Sequence, residues 1–207
     1  MTATKPRVRR SKEEARALIL EAAETLLRKG GSAAVTMRSV AASLDITDAA
    51  VSHHFGTRQD LLEALLHQGG RRLKEELNAA LKEWQAEEPS IQSLVDIIAD
   101  LYADGVYAEL ALQLHLSGWR DRGSGLLNSV VDELHTVRVK SFAARGKKPP
   151  SILETRFAVG MMHQTLALDP LFGEDFRRSA GISRNDKLTK KQRKEMWGAM
   201  LRAILES

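Results

Sequence analysis

Two short helical segments stand almost end to end near the start of the chain, a pairing that constrains the fold even though any all-α domain contains tight helix turns. Thr36 is a good N-cap for a helix through about Leu44, with Met37, Val40, Ala41 and Leu44 on one face. After Asp45-Ile46, Thr47 caps a second short helix running to about His53. Longer helices flank the pair. Ser11-Lys12-Glu13-Glu14 has the form of a capping box, and Ala15, Leu18, Ile19, Ala22, Ala23, Leu26 and Leu27 follow at helical spacing until Gly30-Gly31 stops the run. Phe55-Gly56-Thr57 ends the second short helix, and Thr57 opens a long one carrying Leu61, Leu62, Leu65, Leu66, Leu73 and Leu77. Two short helices in tight succession between longer ones make a helix-turn-helix pattern.

The outer face of the second short helix holds Asp48, Ala49, Ser52 and His53, all small or hydrogen-bonding. A helix that enters a DNA major groove needs such a face, because bulky apolar groups would keep it from the base edges. The same residues also suit an ordinary solvated helix, so the placement of charge matters. The chain of 207 residues has 31 Lys plus Arg against 27 Asp plus Glu, a net charge of +4. Lys5, Arg7, Arg9, Arg10 and Lys12 lie in the first twelve residues with no acid among them, and the rest of the chain is nearly neutral. Residues 1–10 therefore read as a flexible basic arm, either a solvated tail or a segment that orders on a polyanion such as DNA.

From Thr57 onward the chain reads as helices with short breaks. Pro89-Ser90 opens one with Leu94, Val95, Ile98 and Leu101; Gly118 to Gly125 interrupts; Leu127, Val130, Val131, Leu134 and Val137 form the next stripe. Gly146 to Ser151 is a linker, followed by a helix with Ile152, Leu153, Phe157, Met161, Leu166 and Leu168. Leu168 to Leu188 is expected to be an extended loop or a short extra helix. A last helix from Thr189 has Met196, Trp197, Met200, Leu201, Ile204 and Leu205 as apolar pairs on each turn, either a core face or the seam of a helix pair. Strand-type alternation is missing throughout. The fold class is all-α, with a three-helix helix-turn-helix domain at residues 11–56, a helical domain at 57–207 and about nine helices in all.

Composition removes most enzyme readings. Without cysteine there is no thiolate metal site, disulfide scaffold or cysteine nucleophile. A glycine-rich phosphate loop, HExxH and G-x-S-x-G are all missing, so neither catalytic residues nor a cofactor is expected. The adjacent His53 and His54 point to different helix faces and cannot chelate one metal ion together. No apolar run approaches the roughly 18 residues of a membrane span, and the charged N-terminus lacks the apolar stretch of a secretory signal. A cytoplasmic protein is the expectation.

Ser11 to about Leu66 resembles the N-terminal DNA-binding domain of the TetR family of bacterial transcriptional regulators. The residues that carry the resemblance are Ala22, Ala23, Leu26, Leu27 and Gly30, then Val35-Thr36-Met37-Arg38-Ser39-Val40-Ala41, Ile46-Thr47, Val51-Ser52-His53-His54-Phe55 and Arg58-Gln59-Asp60-Leu61-Leu62. Three positions depart from the family pattern: Asp45 stands where the turn usually has glycine, Ser52 where a tyrosine is common, and Arg58 where a lysine opens the fourth helix.

The resemblance implies that the third helix lies in the major groove and the second braces it. Thr36 and Arg38 then face phosphate or base edges, and Thr47, Asp48, Ala49 and Ser52 are the candidates for sequence readout. Asp48 suits a cytosine amino group. His53, His54 and Arg58 are assigned to phosphates, with a packed core role the alternative for His54; Arg9 and Arg10 follow the minor groove or backbone. The implied partners are a second copy of the chain, a palindromic double-stranded DNA operator and an unknown small-molecule effector. The dimer interface would take Met161, Met196, Trp197, Met200, Leu201 and Ile204. An apolar effector pocket would take Tyr102, Tyr107, His115, Trp119, Phe157, Met161 and Met162, with His163 and Trp197 beside them, each of which also suits a plain core. The function implied is a repressor released from its operator by the effector. The alternative is a helical small-molecule-binding or interaction protein that no longer reads DNA, favoured by Asp45 and Ser52.

Overall fold

The computed structural model describes residues 11–86, 90–183, 186 and 188–206. Among them there are nine α-helices and no strand: α1 (Lys12–Ala34), α2 (Met37–Ser43), α3 (Asp48–Phe55), α4 (Arg58–Ala86), α5 (Ile91–Leu101), α6 (Val106–Leu116), α7 (Asn128–Ala144), α8 (Ile152–Ser179) and α9 (Lys190–Glu206). None of these is long and apolar enough to cross a membrane. They form two compact units. The first takes the chain to Gly69 and adds Glu109–Arg120; the second takes Gly70–Ala108 and Asp121 onward.

In the first unit α1, α2 and α3 pack on one another around Ile19, Ala23, Leu27, Val35, Val40, Val51, Phe55, Leu61 and Leu65. Local capping sets the helix starts. Ser11 and Glu14 close the expected capping box, Thr36 and Ser39 form another, and Thr47 Oγ1 accepts from the backbone N–H of Ala50. Thr57 and Asp60 do the same for α4: Asp60 Oδ2 accepts from the Thr57 backbone N–H at 2.9 Å while Thr57 Oγ1 accepts from that of Asp60 at 3.1 Å. Gly30 and Gly31 break α1 as their residue type predicts, but one more helical turn follows to Ala34. The turn between α2 and α3 requires a left-handed residue, and Asp45 supplies it at φ 51°.

The second unit has a core drawn from five helices: Leu77, Leu81 and Trp84 of α4, Leu94, Val95 and Ile98 of α5, Val130, Val131 and Leu134 of α7, Ala158, Val159, Met162 and Leu166 of α8, and Leu201 and Leu205 of α9. The Trp84 indole donates to Ser90 O at 3.0 Å and Ser93 Oγ at 2.9 Å, so the buried ring also fixes the start of α5. Helix α9 lies close against α5 at Gly198, where a Cβ would collide with the Gln92 side chain. Gln92 in turn donates to Lys194 O at 3.1 Å, and Lys190 and Lys194 pair with Asp100 at 2.7 and 2.9 Å. These contacts fix which face of α9 meets the core.

The segment expected to be a loop or extra helix from Leu168 corrects the sequence reading. Helix α8 runs on through Pro170 to Ser179. Pro170 forfeits one backbone bond but sits against Gly105, whose positive φ of 65° and missing Cβ admit the ring. Asp169 is pinned by Arg177 and by Arg193, 3.7 Å away, and the exposed Glu174 and Asp175 pair with Arg178 at 3.0 and 3.3 Å.

Candidate nucleic-acid interface

Helix α3 offers one outward face. Thr47, Asp48, Ala49, Ser52 and His53 are all exposed, while Val51 and Phe55 on the other side are buried. Arg38, at the start of α2, is also exposed and places Nε 3.9 Å from Asp48 Oδ2. The structure thus brings together Arg38, Thr47, Asp48, Ala49, Ser52 and His53 as a solvent-facing set of charged, hydroxyl and small groups. Arg9 and Arg10, with the arm 1–10, lie outside the described residues.

Three sequence assignments change. Thr36 Oγ1 accepts from Ser39 N and donates to Ser39 Oγ, so its hydroxyl serves the helix start and is not offered outward. Arg58, assigned to phosphate, stays at the surface but spends its donors within the chain: Nε donates to Val35 O at 2.7 Å and the neighbouring nitrogen to Ser32 O, tying α4 to the last turn of α1. Carbonyls at a helix end have no partner within the helix, and a guanidinium fork fits two of them at once. Arg58→Ala is therefore expected to destabilise the first unit by about 1–3 kcal/mol, read as a lowered denaturant midpoint. A change confined to DNA affinity would restore the phosphate role. His54 is half-buried with no hydrogen-bond partner for Nδ1. Burial first, then the charges of His53, Lys12 and Arg16, hold its imidazole below the ordinary histidine range, which favours the packed alternative.

Arg16 was missed. Its guanidinium donates to His54 O and lies 4.0 Å over the Phe55 ring, pinning the C-terminal end of α3 to α1. The available signal was an arginine next to the apolar stripe of an otherwise amphipathic helix.

The proposed pocket residues separate. His115 and Trp119 belong to the first unit, where His115 is exposed and Trp119 stacks edge-on against His67 at 6.3 Å. In the second unit Phe157 and Met161 are exposed at 66% and 44%, so they are not interior lining. Met162 is core, Tyr107 half-buried, and Tyr102 and His163 form a stacked pair with the phenol oxygen 2.9 Å from Nε2. Burial pushes the Tyr102 phenol up and the His163 imidazole down, the latter opposed in part by Asp121.

A depressed folded-state histidine favours the folded state above its unfolded value, near 6.5, and that contribution is lost as pH falls toward the folded value. Stability is accordingly expected to decline on acidification below about pH 6.5, and His163→Gln to flatten that decline in denaturant titrations. Equal slopes for the variant and the parent would exclude His163 as a contributor.

The face of α8 and α9 turned from the core carries Leu153, Phe157 and Met161 at four-residue spacing on α8, and Met196, Met200 and Ile204 likewise on α9, all exposed. Two residues assigned to the dimer interface lie off this stripe: Leu201 is 4% exposed within the core, and Trp197 packs against that core. Leu153 and Phe157 take their place on this stripe.

The first unit is a helix-turn-helix domain with a polar outward face on its second short helix, the build of a DNA-binding module. Residues 19–65 match the family model of bacterial regulatory proteins of the tetR family, and the chain carries that family's DNA-binding domain. No match is found among curated protein sequences. Among solved structures, the multidrug binding protein EbrR complexed with ethidium is similar at 24% identity and TM-score 0.55, over 92% of this chain and 98% of that one. A protein with unknown function from Rhodococcus sp. RHA1 is similar at 21% identity and TM-score 0.58, over 98% of both chains. A member of the TetR family from Streptomyces coelicolor A3 is similar at 20% identity and TM-score 0.51, over 92% and 98%. These three likenesses extend the common fold into the helical unit.

Proposed function

We propose that this chain is a homodimeric repressor that binds a palindromic operator through α3 and leaves it when a small apolar ligand enters the second unit. The observation that carries the DNA reading is the exposed, polar face of α3 with Arg38 beside it, on a domain of the TetR family. One short helix reads few base pairs, and a two-fold dimer doubles them. The apolar stripe on α8 and α9 is a self-complementary surface of the kind a two-fold contact uses.

For ligand release, the effector must prefer the conformation that fits DNA poorly. Tyr102 and His163 are half-buried polar groups of the second unit that orient such a ligand, with the apolar Met162 beside His163 on α8. EbrR, of similar fold, holds ethidium, which supports a small-molecule role for a helical unit of this kind.

Selection of bound duplexes from a random pool by the purified protein, at near-physiological salt, tests the DNA reading. An inverted repeat is the expected product. A folded, ligand-free sample that enriches nothing would shift the reading to a helical ligand-binding or interaction protein.

A further inference from the structure

A carboxylate on a DNA-facing surface needs an explanation. Asp48 is the first residue of α3, its side chain is 56% exposed, and it stands among Thr47, Ala49 and Ser52 on the outward face. Every phosphate on an approaching duplex repels it, so a protein that bound DNA by charge alone would bind better without it. Arg38 stands beside it with a side chain 89% exposed, and the 3.9 Å between Nε and Oδ2 exceeds a hydrogen bond. Neither head is committed to the other, and both are free to turn toward a ligand.

The major-groove edges of the bases say which ligand. Guanine presents N7 and O6, thymine presents O4, and adenine sets an acceptor N7 beside its amino group; all bring acceptor atoms toward a carboxylate. Cytosine alone offers an amino donor with no acceptor on its own major-groove edge. The guanine paired with that cytosine presents O6 and N7, which suit a guanidinium. Guanine O6 and cytosine N4 hydrogen-bond to each other, so they lie about 3 Å apart, close to the spacing of the Arg38 and Asp48 heads.

We propose that Asp48 and Arg38 read a single G·C pair in each half-site, with Asp48 accepting from cytosine N4 and Arg38 donating to guanine. Asp48 acts chiefly by exclusion: at any other base it is left desolvated against an acceptor. This rests on the DNA-binding reading above and adds the base identity that the reading leaves open.

The test repeats the duplex selection with the full chain and with Asp48→Ala and Asp48→Asn. The parent should enrich one G·C pair per half-site, with that cytosine favoured about tenfold or more over other bases. Asp48→Ala should flatten the preference at that position alone, and should bind an unrelated duplex more tightly because a repelling charge is gone. Asp48→Asn should admit adenine there, since an amide pairs with adenine N6 and N7. An unchanged motif in both variants overturns the assignment. So does a uniform loss of affinity for all sequences, which marks Asp48 as a residue of the helix start. In both of those outcomes the parent still selects an inverted repeat, so the DNA-binding reading stands. A parent that selects nothing removes that reading, and this assignment with it.

Discussion

Phe157→Glu combined with Met200→Glu is expected to turn the proposed homodimer into a monomer in sedimentation at micromolar chain concentration. The two side chains are 66% and 64% exposed on the apolar stripe of α8 and α9, so the single chain loses little packing when they change. In a two-fold contact each substitution appears twice, which places four carboxylates in a surface that must shed water. Burying unpaired charge costs several kcal/mol per ion, far more than a contact of this kind tolerates. The melting behaviour of the isolated chain should stay close to that of the parent monomer, and affinity for an inverted repeat should fall by two orders of magnitude or more, to about that of one half-site. A double variant that still sediments as a dimer would place the interface elsewhere.

The second large effect concerns stability. Arg138 is 5% exposed, yet its guanidinium has three partners: Leu205 O at 2.8 Å, Thr155 Oγ1 at 2.8 Å and Glu154 Oε2 at 3.4 Å. It joins α7 and α8 to the last turn of α9, satisfying a carbonyl that the helix itself leaves open. Thr155 is fully buried and also meets His135 Nδ1 at 3.0 Å. Arg138→Ala strips a buried carbonyl and a buried hydroxyl of their donor and leaves a cavity, which should cost about 3 kcal/mol or more in denaturant unfolding. Glu154→Gln should cost less than about 0.5 kcal/mol, because that carboxylate is 61% exposed. Lysine at 138 cannot span both acceptors from one nitrogen and should recover little. A loss under about 1 kcal/mol for Arg138→Ala would show that water replaces the guanidinium without penalty.

The helices of the first unit were legible because their starts are local chemistry. Ser11, Thr36 and Thr47 each accept a backbone bond within three residues of themselves, and such caps need no tertiary information. The left-handed turn residue was likewise marked by position, since the family pattern has glycine where Asp45 stands. The carbonyl bonds of Arg58 were not legible. Its partners lie 23 and 26 residues away, and nothing in a run of charged and polar residues distinguishes an arginine facing phosphate from one facing a carbonyl. Arg16 and Arg138 escaped for the same reason.

On α8 the difficulty was one of face. Phe157, Met161 and Met162 share an apolar stretch, and periodicity alone gives no sign that Met162 points to the core while Phe157 and Met161 point out. That division depends on where α7 and α9 pack. Pro170 lies in the stretch from Leu168 that was expected to be a loop or a short extra helix, and the room that Gly105 makes for it inside α8 is a tertiary fact.

The outward stripe on α8 and α9 has a consequence for gene dosage. If the form that grips DNA is a pair of chains, its abundance at low expression rises with the square of the chain concentration, so halving synthesis removes about three quarters of it. Regulation by such a chain is steep in its own copy number before any effector is involved, and the strength of the stripe sets the concentration at which that steepness ends.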